Sequence, residues 1–319
     1  MMQISPETQL FIREHSSDDV RVLALQAKKY PDIDMPTAIT QIAGRKVAAE
    51  KIPSWWEIEK IWYPKHLSLE QCSSEITARY KARLLQGDSL TDLTGGFGID
   101  CSFLATGFKS ATYVERQEEL CEIAAHNFPV LNLNHINIKN EDGVTYLQVM
   151  SPVDCLFLDP ARRNEHGGKT VAISDCEPNV AELEELLLQK ANRVMIKLSP
   201  MLDLSLALKE LKQTQEVHIL SVNNECKELL ILLGQTSPAE ISIHCVNLFT
   251  KGTQKEQHFV FTREQEQCSE CTYTDSLETY LYEPNASLLK AGAFRSIAAA
   301  YPVRKLHPNS HLYTSDTFI

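Results

Sequence analysis

Two short stretches of this sequence gather residue types that can do chemistry. The first is Asp92-Leu93-Thr94-Gly95-Gly96-Phe97-Gly98-Ile99-Asp100, which follows an apolar run. Gly95, Gly96 and Gly98 permit a tight turn and close approach of the backbone to a ligand. Asp92 and Thr94 stand where the run ends and can meet a positively charged group. Glu115 ends the next apolar run, where a carboxylate can accept hydrogen bonds from both hydroxyls of a ribose. Asp142, in Glu141-Asp142-Gly143 after a third run, suits the amino group of an adenine. The second stretch is Leu158-Asp159-Pro160-Ala161-Arg162-Arg163. Asp159 and the Pro160 carbonyl can accept the two N–H bonds of an exocyclic amine and favour a pyramidal nitrogen. The carboxylate also stabilises positive charge as it forms on that nitrogen. Arg162 can stack on a base, and Arg162 or Arg163 can bind phosphate. Lys197 ends a later run and suits a substrate phosphate, while Asn223, with Asn224 and Glu225, suits a base.

The glycine loop also discriminates between cofactors. A dinucleotide needs helix N-terminal amides around its pyrophosphate. The spacing Gly95-Gly96-Phe97-Gly98 is not G-x-G-x-x-G. S-adenosylmethionine (SAM) has no phosphate and carries a sulfonium and an amino acid, which Asp92 can meet. SAM is therefore the expected cofactor and an NAD enzyme the competing one. Methyl transfer is an in-line displacement, so positioning does most of the work.

The elements that must position these residues begin near Ser89. Short apolar runs at 90–93, 111–114, 136–138, 153–158 and 193–198 alternate with helical patterns at 99–105, 117–128, 144–149, 180–191 and 204–211. That alternation predicts a mainly parallel sheet covered on both faces. Runs at 217–222 and 228–233 break it, because the five residues 223–227 are too few for a crossover. They predict a hairpin and an antiparallel seventh strand.

Residues 1–86 read as a helical domain, residues 87–238 as the catalytic one and residues 239–319 as a small α+β domain, cut short at a final turn. In the first, Asp18 or Ser17 caps one helix and Pro36 opens another. Trp55, Trp56 and Trp62 cluster after Pro53 and read as packing rather than base stacking. The last domain shows strand-like runs at 241–249, 258–262 and 277–282, then a helix over 286–300. The connection 164–179 is long, contains Gly167-Gly168, and reads as a lid.

At these residues the chain resembles the class I SAM-dependent methyltransferases, over about residues 67–233. The resemblance puts Asp92, Gly95, Gly96 and Gly98 on the family's first motif, Glu115 on its ribose acid and Asp142 on its adenine contact. It implies a seven-stranded, mostly parallel α/β sheet with an antiparallel seventh strand. A narrower resemblance rests on Leu69-Glu70-Gln71-Cys72-Ser73-Ser74-Glu75-Ile76-Thr77-Ala78, Lys197-Leu198-Ser199-Pro200-Met201-Leu202-Asp203 and Tyr280-Leu281-Tyr282-Glu283-Pro284-Asn285-Ala286. These segments look like bacterial methyltransferases with a C-terminal THUMP-like domain. That likeness implies an RNA substrate, such as tRNA or rRNA, and places Gln71 against the cofactor. Asp159-Pro160 resembles in part the (Asp/Asn)-Pro-Pro-aromatic motif of amino-methylating enzymes. Ala161 and Arg162 depart from it. Asp-Pro-Pro-Arg also occurs in RNA uracil C5-methyltransferases, which need a cysteine near strand five. Residues 193–200 contain none, and Cys226 lies in the hairpin.

The totals narrow the classes further. The net charge of −11 opposes nonspecific nucleic-acid binding, but the acidity is local. Residues 91–240 hold 12 basic and 22 acidic side chains, while the flanks are nearly neutral. A protein or small-molecule acceptor, or a binding module without catalysis, therefore stays open beside RNA. No apolar run approaches the length of a membrane span, and no basic-then-apolar leader opens the chain, so a cytoplasmic protein is expected. Nine scattered cysteines give no disulfide framework. Cys268-x-x-Cys271 lacks a second pair and falls in a polar stretch, 264–270, that reads as a loop. His166, Asp175 and Cys176 match no ligand spacing. No metal site is expected.

Overall fold

The computed structural model describes residues 4–162, 172–236 and 238–319. Nine strands take the order β3-β2-β1-β4-β5-β7-β6-β8-β9: β1 Ser89–Asp92, β2 Ser110–Glu115, β3 Ile136–Asn140, β4 Val153–Leu158, β5 Ala191–Leu198, β6 Thr214–Val222, β7 Glu225–Gly234, β8 Ser242–Leu248 and β9 Glu256–Thr262. The first seven include the antiparallel β7 that the sequence predicts. β7 runs antiparallel to both β5 and β6. The turn between β6 and β7 is only two residues, Asn223 and Asn224, at φ 49° and 64°. Both lie in the left-handed region that asparagine tolerates and that matches the twist of paired strands. The five-residue connection shrinks to two because β7 begins at Glu225, three residues before its apolar run.

Beyond the seven, β8 pairs in parallel with β6, and β9 pairs antiparallel with β8. These strands come from residues that the sequence places in the C-terminal domain, and here they are hydrogen-bonded into the central sheet. The chain divides into two compact units within β4, between Leu156 and Phe157.

In the first unit, helices Pro6–Glu14, Val20–Leu25 and Met35–Lys51 are capped by the side chains of Ser5, Asp19 and Asp34. Their inward faces meet in Phe11, Leu23, Met35, Ala38 and Ile42. A second cluster joins Ile52, Trp55, Leu69 and Ala78 to Phe97, Ile99 and Ile123. The N-terminal helices therefore share a core with the residues around the glycine loop. Trp55 meets Phe97 edge-on at 5.2 Å, and Trp62 stacks on His126 at 3.7 Å. Trp56 is exposed beside Arg45. Two of the three tryptophans thus do packing work.

A buried polar triad completes this junction. Lys81, 0% exposed on helix Glu75–Ala82, lies 2.9 Å from Asp100 Oδ1 in the first turn of helix Ile99–Ala105. Its ammonium donates to Ser73 Oγ (2.8 Å), and Ser73 donates to Asp100 Oδ2 (2.7 Å).

In the second unit, β10 Tyr280–Tyr282, β11 Arg304–Lys305 and β12 Tyr313–Ser315 form a small antiparallel sheet with β12 central. Residues 263–268 are helical, not a loop. Thr262 and Gln265 form a capping box, a signal present in the sequence. The helix expected over 286–300 is two helices, Ala286–Ala291 and Phe294–Ala300, because Gly292 turns left-handed (φ 76°). Glu266 caps the second by accepting from the Phe294, Arg295 and Ser296 amides. Among the described residues no helix is long and apolar enough to cross a membrane.

Removing the cation from a buried pair strands the carboxylate. Lys81→Met is expected to cost about 3–5 kcal/mol, seen as a lower urea midpoint at unchanged m-value. An unchanged midpoint would show that Asp100 finds its counter-charge elsewhere.

Candidate active site

β1, β2 and β3 pair in parallel, so their carboxyl ends deliver three acidic residues to one edge of the first unit. Asp92 is 1% exposed, and its Oδ1 accepts from the Thr94 amide at 3.0 Å. The chain then folds back on β2. The Gly95 amide donates to the Val114 carbonyl (2.8 Å), and a Cβ on Gly95 would lie 2.2 Å from the Tyr113 ring. Only glycine fits there. Gly96 and Gly98 have φ of 53° and 87°. Tyr113 Oη donates to the Gly96 carbonyl (2.5 Å), while Glu115 Oε2 accepts from the Gly96 amide (2.9 Å). Glu115 Oε1 accepts from the Gln117 amide (2.8 Å). The residue that the sequence gives to a ribose is thus also the anchor of the glycine loop. Each carboxylate oxygen can accept two hydrogen bonds, so both roles are compatible.

Asp142 is exposed and caps helix Gly143–Val149, its Oδ1 accepting from Val144 and Thr145 amides at 3.0 Å. A Cβ on Gly143 would lie 2.1 Å from the Leu93 carbonyl, so the loop after β3 lies hard against the loop after β1. Asp92, Thr94, Gly95, Gly96, Gly98, Glu115 and Asp142 are in this way brought together. Gln71 is exposed at the end of helix His66–Gln71. The bond that ties its segment to the helix after the loop runs from Ser73 to Asp100. Burial pushes the Tyr113 hydroxyl well up, and the Glu115 charge adds to it. Burial, then Asp92 and Asp100, does the same to the Cys101 thiol, which is a packing group.

In the second unit Asp159 is half-buried and Pro160 buried. Ala161 and Arg162 pair as a short ribbon with Glu177 and Cys176. Lys197, near the end of β5 and 8% exposed, donates from Nζ to Asp159 Oδ2 at 2.5 Å. The sequence assigns Lys197 to a substrate phosphate; the structure sets it on the carboxylate of the reaction loop. This pairing joins positions 38 residues apart, and neither motif announces it. The Arg162 side chain, Arg163 and the lid glycines lie outside the described residues. Asn223 is a turn residue: its Nδ2 donates to Thr250 Oγ1 (2.8 Å), and its Oδ1 accepts from the Thr250 amide (3.1 Å). Asn224 Oδ1 accepts from the Ala286 amide (2.7 Å). Burial pushes the Cys226 thiol up to about 11, which makes it a poor nucleophile.

Comparison with known proteins adds to this geometry. Residues 280–319, which hold the small sheet, match a family model described as a ferredoxin-like domain, where the resemblance implied a THUMP-like one. No curated protein matches the chain. A crystal structure from Porphyromonas gingivalis W83, of a protein provisionally named a methyltransferase, is 34% identical. The match covers 100% of this chain and 80% of that one, with a TM-score of 0.86. An rRNA methylase from Streptococcus thermophilus is 14% identical over 50% of this chain and 93% of its own, at a TM-score of 0.36. A Streptococcus mutans protein in complex with SAH is 14% identical over 50% and 96%, also at 0.36.

The contact at Gly95 can be tested directly. Gly95→Ala drives a methyl group into the Tyr113 ring and is expected to cost about 1–3 kcal/mol, read from urea midpoints. Gly107→Ala, whose new Cβ would meet nothing nearer than 3.7 Å, serves as the control. Equal midpoints for the two variants would show that the loop relaxes away from β2.

Proposed function

Since the chain belongs to the family of the Porphyromonas gingivalis protein, we propose that it is a SAM-dependent methyltransferase whose acceptor is an exocyclic amine of an RNA base. The observation that carries this reading is the glycine loop clamped to β2 with Glu115 at its edge. In it Glu115 binds the ribose hydroxyls, Asp142 the adenine, and Asp92 and Thr94 the amino-acid portion. Gly95, Gly96 and Gly98 bring the backbone close, and Gln71 covers the cofactor from the N-terminal side. When bound, SAM supplies an electrophilic methyl group.

Asp159 and the Pro160 carbonyl accept the two N–H bonds of the acceptor amine and turn its lone pair outward. Lys197 holds Asp159 Oδ2 and fixes the carboxylate's orientation. Arg162, Arg163, Lys197 and Asn223 are the candidates for the substrate's phosphates and base. Flanks that are nearly neutral, unlike residues 91–240, give an RNA a less repulsive approach. A protein or small-molecule acceptor is the second reading, and the acidity of residues 91–240 is what favours it.

Two measurements separate these parts. Glu115→Ala should weaken SAM by about 1.5–3 kcal/mol, the scale of hydrogen bonds to a charged group, in calorimetry. Unchanged affinity removes Glu115 from the cofactor site. With methyl-labelled SAM, total RNA from a deletion strain should take up label, and Asp159→Ala should slow the transfer about 100–1000-fold while SAM affinity holds. Label appearing only in protein or small-molecule pools would overturn the RNA acceptor and leave the methyltransferase standing.

A further inference from the structure

One face of the second unit gathers an unusual set of side chains. Glu216 and His218 stand two residues apart on β6 and therefore share a face. His244 on β8 is the direct parallel partner of His218. One donor atom from each of the three lies within 4.8 Å of the others. His218 is only 2% exposed, and its Nε2 is 3.2 Å from Glu216 Oε2.

We infer that Glu216, His218 and His244 form a binding site for a divalent transition-metal ion of the zinc class. Two imidazoles and a carboxylate suit zinc, cobalt or nickel, not the all-oxygen preference of magnesium or calcium. Bonds of about 2.0–2.1 Å in a tetrahedral site set its donors roughly 3.4 Å apart. The Glu216–His218 spacing already approaches that. An ion there replaces the proton that His218 Nε2 and Glu216 Oε2 now share. The second carboxylate oxygen, Glu216 Oε1, accepts from Arg193 Nη2 at 2.7 Å, which holds the carboxylate's orientation. His244 Nδ1 lies 3.1 Å from His258 Nε2 on β9, so His258 can fix the ring's tautomer as an outer partner.

The ring geometry adds a requirement. His218 and His244 are stacked, with centroids 4.3 Å apart and planes 19° from parallel. A ring nitrogen's lone pair lies in the ring plane, so binding must turn the two imidazoles from stacked to convergent. Three protein ligands leave a fourth position for water or an added ligand. The ion joins β6 to β8 and, through His258, engages β9.

The test uses the full-length protein, stripped with chelator and titrated with Co²⁺ alone, then with Zn²⁺ by calorimetry. One ion per chain is expected, with visible cobalt bands of four-coordinate geometry. His244→Gln and Glu216→Gln should each weaken binding by at least about tenfold, and the near-isosteric Glu216→Gln keeps the test valid should His244→Gln not fold. Cys268→Ser with Cys271→Ser should leave binding unchanged. No uptake, uptake indifferent to both ligand variants, or uptake lost only in the cysteine variant would each overturn the site.

Discussion

One residue, Gly96, holds the glycine loop to the sheet. The N–H of Gly96 is accepted by Glu115, and its carbonyl accepts from Tyr113. These side chains are two residues apart on β2 and so project from the same face. A single strand thereby clamps both polar groups of one glycine. The close contact of Gly95 with the same tyrosine ring leaves the loop no other place to go. The placement of Asp92 and of helix Ile99–Ala105 follows, and with it the seat of the N-terminal helices, which share that helix's core and its buried Lys81–Asp100 pair.

Two lysines recur as buried partners of carboxylates, with different surroundings. Lys81 is enclosed, with Ser73 bonded to both members of its pair. Lys197 meets an Asp159 whose side chain is more than a third exposed. The first pair lies in a closed environment and acts as a joint. In the second, the carboxylate keeps a face to solvent.

Much of this was legible in the sequence. The connection between β6 and β7 was too short for a crossover, and the antiparallel β7 follows from that alone. Asp92, Glu115 and Asp142 each stood at the end of an apolar run, so their meeting at one sheet edge follows from parallel pairing. Contacts between distant positions were not legible. Nothing in Lys197-Leu198-Ser199 points to Asp159, and nothing in Glu216-Val217-His218 points to His244, whose meeting depends on which strand β8 chooses as neighbour. Alternation along residues 241–262 marks strands but not the sheet they join. The helix at Arg263–Cys268 is a different kind of miss, since its Thr262 and Gln265 capping pair was in plain view and the polar composition obscured it.

The choice made by β8 has a wider effect. In a seven-stranded sheet of this order β6 would be the rim, with one row of backbone N–H and C=O groups open to any passing strand. Here β8 occupies that row along the length of β6, and β9 closes the next. The rim moves outward to β9, a strand carrying Glu256, Gln257 and His258, and helix Arg263–Cys268 follows it directly. Polar side chains on an outermost strand discourage self-association through backbone pairing. The backbone row of β6 is thereby closed to pairing with another chain.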